Sequence, residues 1–291
     1  MSRLTLGLIL GFIGVVAFGG TFPMTKLAVA HFDPLFVTFW RAGLAGLMAL
    51  AVLAALRRAW PERRHWAPIG VASICLVWGF PGLTNFAMRL VDASHAGVVA
   101  GILPLGTAVA AAVILREPQR PGFWAISVLG MLLVVGFTVA EGGGGLSAGD
   151  MLVLLSVAVA STGYVFSAKV SRSMPGWEVI SWVLAASLPL NAIGMGLSWP
   201  GVGAYASAPA SALAGFAYVT VVSQYLGFFA WNAGLAMGGV ARVGQVQLLQ
   251  TFVTLVLAAL VAGERVGPHV WAAAGLVVAL VFAAQRLARK G

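Results

Sequence analysis

The chain has 291 residues, 60% of them hydrophobic and only 9% charged, where soluble domains carry roughly a quarter charged. That composition excludes a soluble globular protein and predicts an all-α integral membrane protein. The net charge of +9 is carried largely at helix ends, so it reads as membrane topology and not as a nucleic-acid surface.

A membrane-spanning helix needs roughly 20 mostly apolar residues. Ten such stretches are predicted, at 4–26, 35–56, 67–89, 93–115, 122–140, 150–170, 177–198, 211–236, 240–262 and 268–286. Runs such as GMLLVVGFTVA (130–140) lack the apolar/polar alternation of a membrane barrel. The first stretch has the look of a signal peptide, but its apolar run continues to Thr25, past the about 7–15 residues of a signal core. A retained first helix is therefore predicted. Gly19, Gly20 and Pro23 interrupt it; Gly20 and Pro23 are hinge candidates, because proline removes a backbone donor. Arg41 in span 2 is expected to snorkel or pair locally. Cys75, the single cysteine, excludes an internal disulfide or a cysteine-rich metal cluster and is expected to be a small apolar filler.

Polar residues inside spans should face protein or a wet cavity, since an unpaired polar group in hydrocarbon costs several kcal/mol. Trp78 and Asn85 in span 3 stand seven residues apart, nearly two turns, and share a face. Span 4 opens at His95, expected to cap it, and carries Gly97, Gly101 and Pro104 as packing or hinge positions. Tyr164 adds an aromatic candidate in span 6, and span 8 carries Tyr225 and Asn232. In span 9, Gln247, Gln250, Thr251 and Thr254 follow i, i+3, i+4, i+7, one helical stripe. Substrate contacts are expected from Trp78, Asn85, Tyr164, Tyr225, Asn232, Gln247, Gln250 and Thr254. All eight acidic residues fall at or near span ends, which argues against the midplane carboxylate that an exporter of lipophilic cations or a proton antiporter would use.

The charge distribution also fixes an expected orientation. Arg3, Arg57, Arg58, Arg63, Arg64, Arg116, Arg120, Lys169, Arg172, Arg286, Arg289 and Lys290 fall on one side; only Lys26, Arg89 and Arg265 fall on the other. Both termini are thus expected in the cytoplasm.

The chain also repeats itself. An offset of 147 maps Asn85, Gly97, Thr107, Glu117, Pro121, Trp124 and Leu129 onto Asn232, Gly244, Thr254, Glu264, Pro268, Trp271 and Leu276. Spans 1 and 6 need an offset of 143, placing Gly20 on Gly163 and Lys26 on Lys169. Two copies of five helices, 1–145 and 146–291, are predicted. Five is odd, so the second copy enters the membrane from the opposite side. Such inverted repeats typify transporters with a central site between the copies. Glu117 and Glu264 mark the same turn in each copy and are expected to be solvated surface carboxylates.

Several segments carry a family resemblance: DPLFVTFWRAGLAGL (33–47), VWGF (77–80), HAGVVAGILPLGTAVAAAVILREP (95–118) and LLQTFVTLVLAALVAGERV (248–266). On these the chain resembles the drug/metabolite transporter superfamily, specifically proteins built from two EamA-type repeats, over essentially its whole length. The resemblance is strongest to bacterial exporters of aromatic amino acids, which implies ten helices, an inner-membrane location and outward movement of amino acids. Phe18-Gly19 stands where the family often has Trp-Gly, and Thr251 where it often has proline, so other neutral amino acids and related metabolites are included. The expected partners are the amino-acid solute and the bilayer, with no cofactor, metal or nucleic acid, and one monomer sufficient for transport. Drug-like solutes on the same fold and a passive channel are the alternatives. A membrane enzyme would need a catalytic grouping, and the four histidines are scattered with no HExxH spacing.

Overall fold

The computed structural model describes residues 2–116, 119, 121–141, 144–238 and 243–288. Glu117, Arg120, Arg289 and Lys290, named above, lie outside them. All regular structure among the described residues is helical. Eight segments are long and apolar enough to cross a bilayer: α1 (Arg3–Val29), α2 (Pro34–Ala55), α3 (Arg63–Ala87), α4 (Ala93–Ile114), α5 (Pro121–Glu141), α6 (Ala148–Val170), α7 (Gly176–Leu197) and α8 (Ala210–Gly238). They coincide with the first eight predicted spans. Two further apolar helices, α9 (Val246–Val261) and α10 (Pro268–Ala288), fall on the ninth and tenth. The chain is a multi-pass membrane protein, and Leu132, Ile193 and Leu260 on its surface are more than 60% exposed, as residues facing hydrocarbon would be.

Local chemistry sets the helix starts. Asp33 caps α2, accepting from Leu35 N at 2.8 Å, with Pro34 in the first turn. Ser147 and Asp150 form a reciprocal capping box on α6. Proline opens α5 and α10 at positions 147 apart.

Further boundaries keep that spacing. α4 is interrupted at Gly101 and Ile102 and resumes over Leu103–Ile114. A tight 3-10 stretch, Gly244–Leu249, runs into α9 and gives way to α-helix over Gln250–Val261, so both ends of the resumed segments are 147 apart. Wide π-helical turns interrupt α3 at Ile74–Gly79 and α8 at Tyr218–Leu226, again ending 147 apart. α1 and α6 break the pattern. Pro23 cannot donate to Gly19 O, and α1 is interrupted at Gly20, whereas α6 is continuous.

Small residues let the helices approach. A Cβ on Gly7 of α1 would stand 2.5 Å from Gly238 N of α8, and one on Gly234 would stand 2.6 Å from Gly11 N. The backbones meet with no room for a methyl group. At one end of the bundle Lys26, Asp92 and Glu264 form a salt-bridged cluster, and His269 bonds Glu141 at 3.0 Å. At the other, Arg58 pairs with Glu178 at 3.4 Å and Ser173 bonds His65 at 2.9 Å.

Candidate functional site

The interruptions of α4 and α9 face each other across a crevice. Its walls include Phe22 of α1, Gly97, Gly101 and Pro104 of α4, and Gln247, Gln250, Thr251 and Thr254 of α9. Pro104 lacks the N–H that would continue the α4 ladder to Ala100 O, which explains the interruption there. The two walls interlock: a Cβ on Gly97 would lie 2.7 Å from Thr254 Cγ2, and one on Gly101 would lie 2.8 Å from Thr251 Oγ1. Moving along α4 from 97 to 101 therefore means moving back along α9 from 254 to 251. The helices cross antiparallel. The free volume left between them is only about 20 Å³, room for about one water.

Thr254 also ties α9 to α1. Its hydroxyl donates to Gly19 O at 2.9 Å, the carbonyl that Pro23 leaves without a helical donor. Tyr218 of α8 donates to Ala17 O at 3.0 Å, and a side chain at Gly20 would collide with its hydroxyl. The break in α1 is thus held by one residue from each of α8 and α9.

The other sequence candidates lie in helix-to-helix joints and do not line the crevice. Trp78 Nε1 donates to Asn191 Oδ1 of α7 at 2.7 Å. Asn85, fully buried, donates through Nδ2 to Thr38 Oγ1 of α2 at 2.8 Å. In the second copy Tyr225 shares a 2.9 Å hydrogen bond with Ser181 of α7, and a Cβ on Gly176 would meet Asn232 at 2.7 Å. Asn85 and Asn232 therefore occupy equivalent joints, each against the first turns of the second helix of its copy. Tyr164 is half-buried and packs against the hydrophobic core.

Three expectations need correction. Glu264 is not a solvated surface carboxylate: its side chain is 7% exposed, and it accepts from Ala93 N at 2.7 Å and Ser94 N at 2.8 Å and from Lys26 Nζ at 2.9 Å. Gly263, with a left-handed φ of 69°, turns the chain so that Glu264 N–H bonds back to Ala258 O at 3.1 Å. Asp92 sits at the α4 cap position but makes no cap bond; its carboxylate engages Lys26. The second copy thus supplies the anion at a helix N-terminus of the first. Arg41 neither snorkels nor pairs locally. It is 2% exposed and donates to Gln224 Oε1 of α8 at 2.6 Å. His95 does not cap α4; its Nε2 meets Asp150 Oδ1 at 2.6 Å. All three misreadings have partners more than 50 residues away, and nothing local in the sequence announces them. A polar recess of about 400 Å³ lies beside this cluster, lined by Lys26, Arg89, Asp92, His95, Glu141 and Asp150 among others.

Two interrupted helices at equivalent positions thus share one polar crevice. The EamA-like transporter family model matches residues 5–139 and again 147–284. The chain belongs to the EamA-like transporter family. A Bacillus subtilis (strain 168) protein named uncharacterized transporter YdeK is 43% identical over 99% of this chain and 100% of its own length. A second from that organism, uncharacterized transporter YyaM, is 23% identical over 82% of this chain and 80% of its own. A solved crystal structure, 22% identical, aligns over 99% of this chain and 98% of that one with a TM-score of 0.65, which shows a shared fold. As an EamA-like protein the chain is a transporter of the drug/metabolite class, and its family and relatives are transporters, not enzymes.

Proposed function

We propose that this EamA-like protein is a secondary transporter that exports amino acids, aromatic and other neutral ones, across the bacterial inner membrane by alternating access. Ten spans form two inverted five-helix copies, 1–145 and 146–291, with both termini in the cytoplasm. The observation that carries this reading is the antiparallel crossing of α4 and α9 at the crevice, since equivalent helices of two copies run oppositely when the copies are inverted. Gln247, Gln250 and Thr251 offer polar contacts there, and Gly101, Pro104, Gly20 and Pro23 mark where helices give way. About 20 Å³ does not hold an amino acid, so the walls must part to admit one. The Lys26–Asp92–Glu264 cluster closes one end and must separate when that end opens.

Purified protein in liposomes, tested for counterflow with each of the twenty labelled amino acids at two pH gradients, checks the proposal. Saturable exchange of at least one neutral amino acid is expected. Absence of flux for all twenty rejects it, and ionic conductance without saturation replaces the carrier by a channel.

A further inference from the structure

Arg41 lies on α2 where the wide turns of α3 and α8 meet. Its Nη2 donates to Gln224 in the α8 turn, and Gln224 Nε2 donates at 3.4 Å to Leu76 O in the α3 turn. Its Nε and both hydrogens of Nη1 have no acceptor among the described residues. No carboxylate among the described residues stands within ion-pair distance of it. A guanidinium stays charged when buried, and an uncompensated charge inside a membrane protein is costly and points to a functional partner. An anion would complete this donor set.

An unsatisfied acceptor sits close by. Thr38, one turn before Arg41 on the same face of α2, gives its only hydroxyl hydrogen to Pro34 O at 2.7 Å. It can therefore only accept from Asn85, which fixes the Asn85 amide with its NH₂ toward Thr38. Asn85 Oδ1 is left buried with no donor among the described residues. A positive donor set without an anion, on Arg41, and an acceptor without a donor, on the Asn85 that bonds Thr38 one turn earlier on the same helix, complement the two charged ends of an amino acid. π-helical turns recur at functional sites, and here Gln224 links Arg41 to both of them.

We propose that Arg41 anchors the carboxylate of the transported solute, with Asn85 Oδ1 accepting from its ammonium group, once the packed interior opens. The proposal rests on the transporter reading above and narrows its substrate to solutes bearing a carboxylate. It is tested on purified full-length protein by ligand-induced thermal shift, with L-phenylalanine, L-phenylalaninamide and 3-phenylpropionate as probes. Both acids are expected to act at concentrations at least about tenfold lower than the amide, because a site built for hydrogen bonds rejects a solute lacking the partner group. Arg41→Gln should bring that ratio to about one, and Arg41→Lys should keep part of it. Equal potency of acid and amide on the unmodified protein, no shift with either acid, or an undiminished ratio in Arg41→Gln overturns the proposal. The first two outcomes need no variant to fold. Acid preference without flux of any amino acid would reject the exporter reading and leave the anchor standing, whereas flux without acid preference would reject the anchor alone.

Discussion

Thr107 and Thr254 occupy the same position in the two copies and do different work. Thr107 returns its hydroxyl to Leu103 O of its own helix at 2.8 Å. Thr254 sends its hydroxyl to Gly19 O of α1 at 2.9 Å. The neighbouring helices explain the difference. Under the 143 offset Pro23 corresponds to Phe166, so α6 stays continuous and frees no carbonyl, whereas α1 frees one. Duplication fixed where each threonine stands, and the neighbouring backbone decided what it bonds. The same holds where α4 and α9 line the crevice, one copy contributing glycine and proline and the other amides and hydroxyls.

The sharpest way to break this asymmetry is at Glu264. Glu264→Ala removes the acceptor for Ala93 and Ser94 and one of two partners of Lys26, and is expected to cost about 3 kcal/mol. Thermal unfolding measures the loss, and a cysteine at position 93 should label faster from that side of the membrane. A loss below about 0.5 kcal/mol would place Glu264 back among ordinary surface carboxylates. Gly97→Ala comes next, at about 2 kcal/mol, because its methyl meets Thr254 Cγ2 in a packed interface. Adding Thr254→Ser, which deletes that methyl and keeps the hydroxyl bond, should recover most of the loss; failure to do so would mean the clash lies elsewhere. Smallest is the comparison of the threonines themselves. Thr254→Val should cost about 1 kcal/mol by leaving Gly19 O unpaired, and Thr107→Val under about 0.5 kcal/mol. Pro23→Ala restores an amide for Gly19 O and should erase most of the Thr254→Val penalty in a double-mutant cycle.

Much of the fold was legible because membrane spans announce themselves by length and hydropathy, and the 147 offset survives in rare residues such as Trp124 and Trp271. The α9 stripe was legible for a related reason: helical periodicity puts Gln247, Gln250, Thr251 and Thr254 on one face, and that face does line the crevice. Periodicity says nothing about which neighbour a face meets. Asn85 and Tyr225 are buried, as mid-span polar groups should be, and they pair with α2 and α7. Glu264 and Arg41 were misjudged because end position and hydropathy suggest solvation, while their partners, Ala93 and Gln224, lie 171 and 183 residues away. The π turns in α3 and α8 have no sequence signature beyond the Pro81 that follows the first.

That Glu264 terminates a helix belonging to the opposite copy has a mechanical consequence. Swinging the α9–α10 turn away strands two amide hydrogens and an ammonium group at once, and only water and counter-ions can take the carboxylate's place. On the proposed alternating-access cycle, the mouth at that end would unlatch by hydration and local fraying of a helical turn, and added salt, by screening the lysine, would ease it apart.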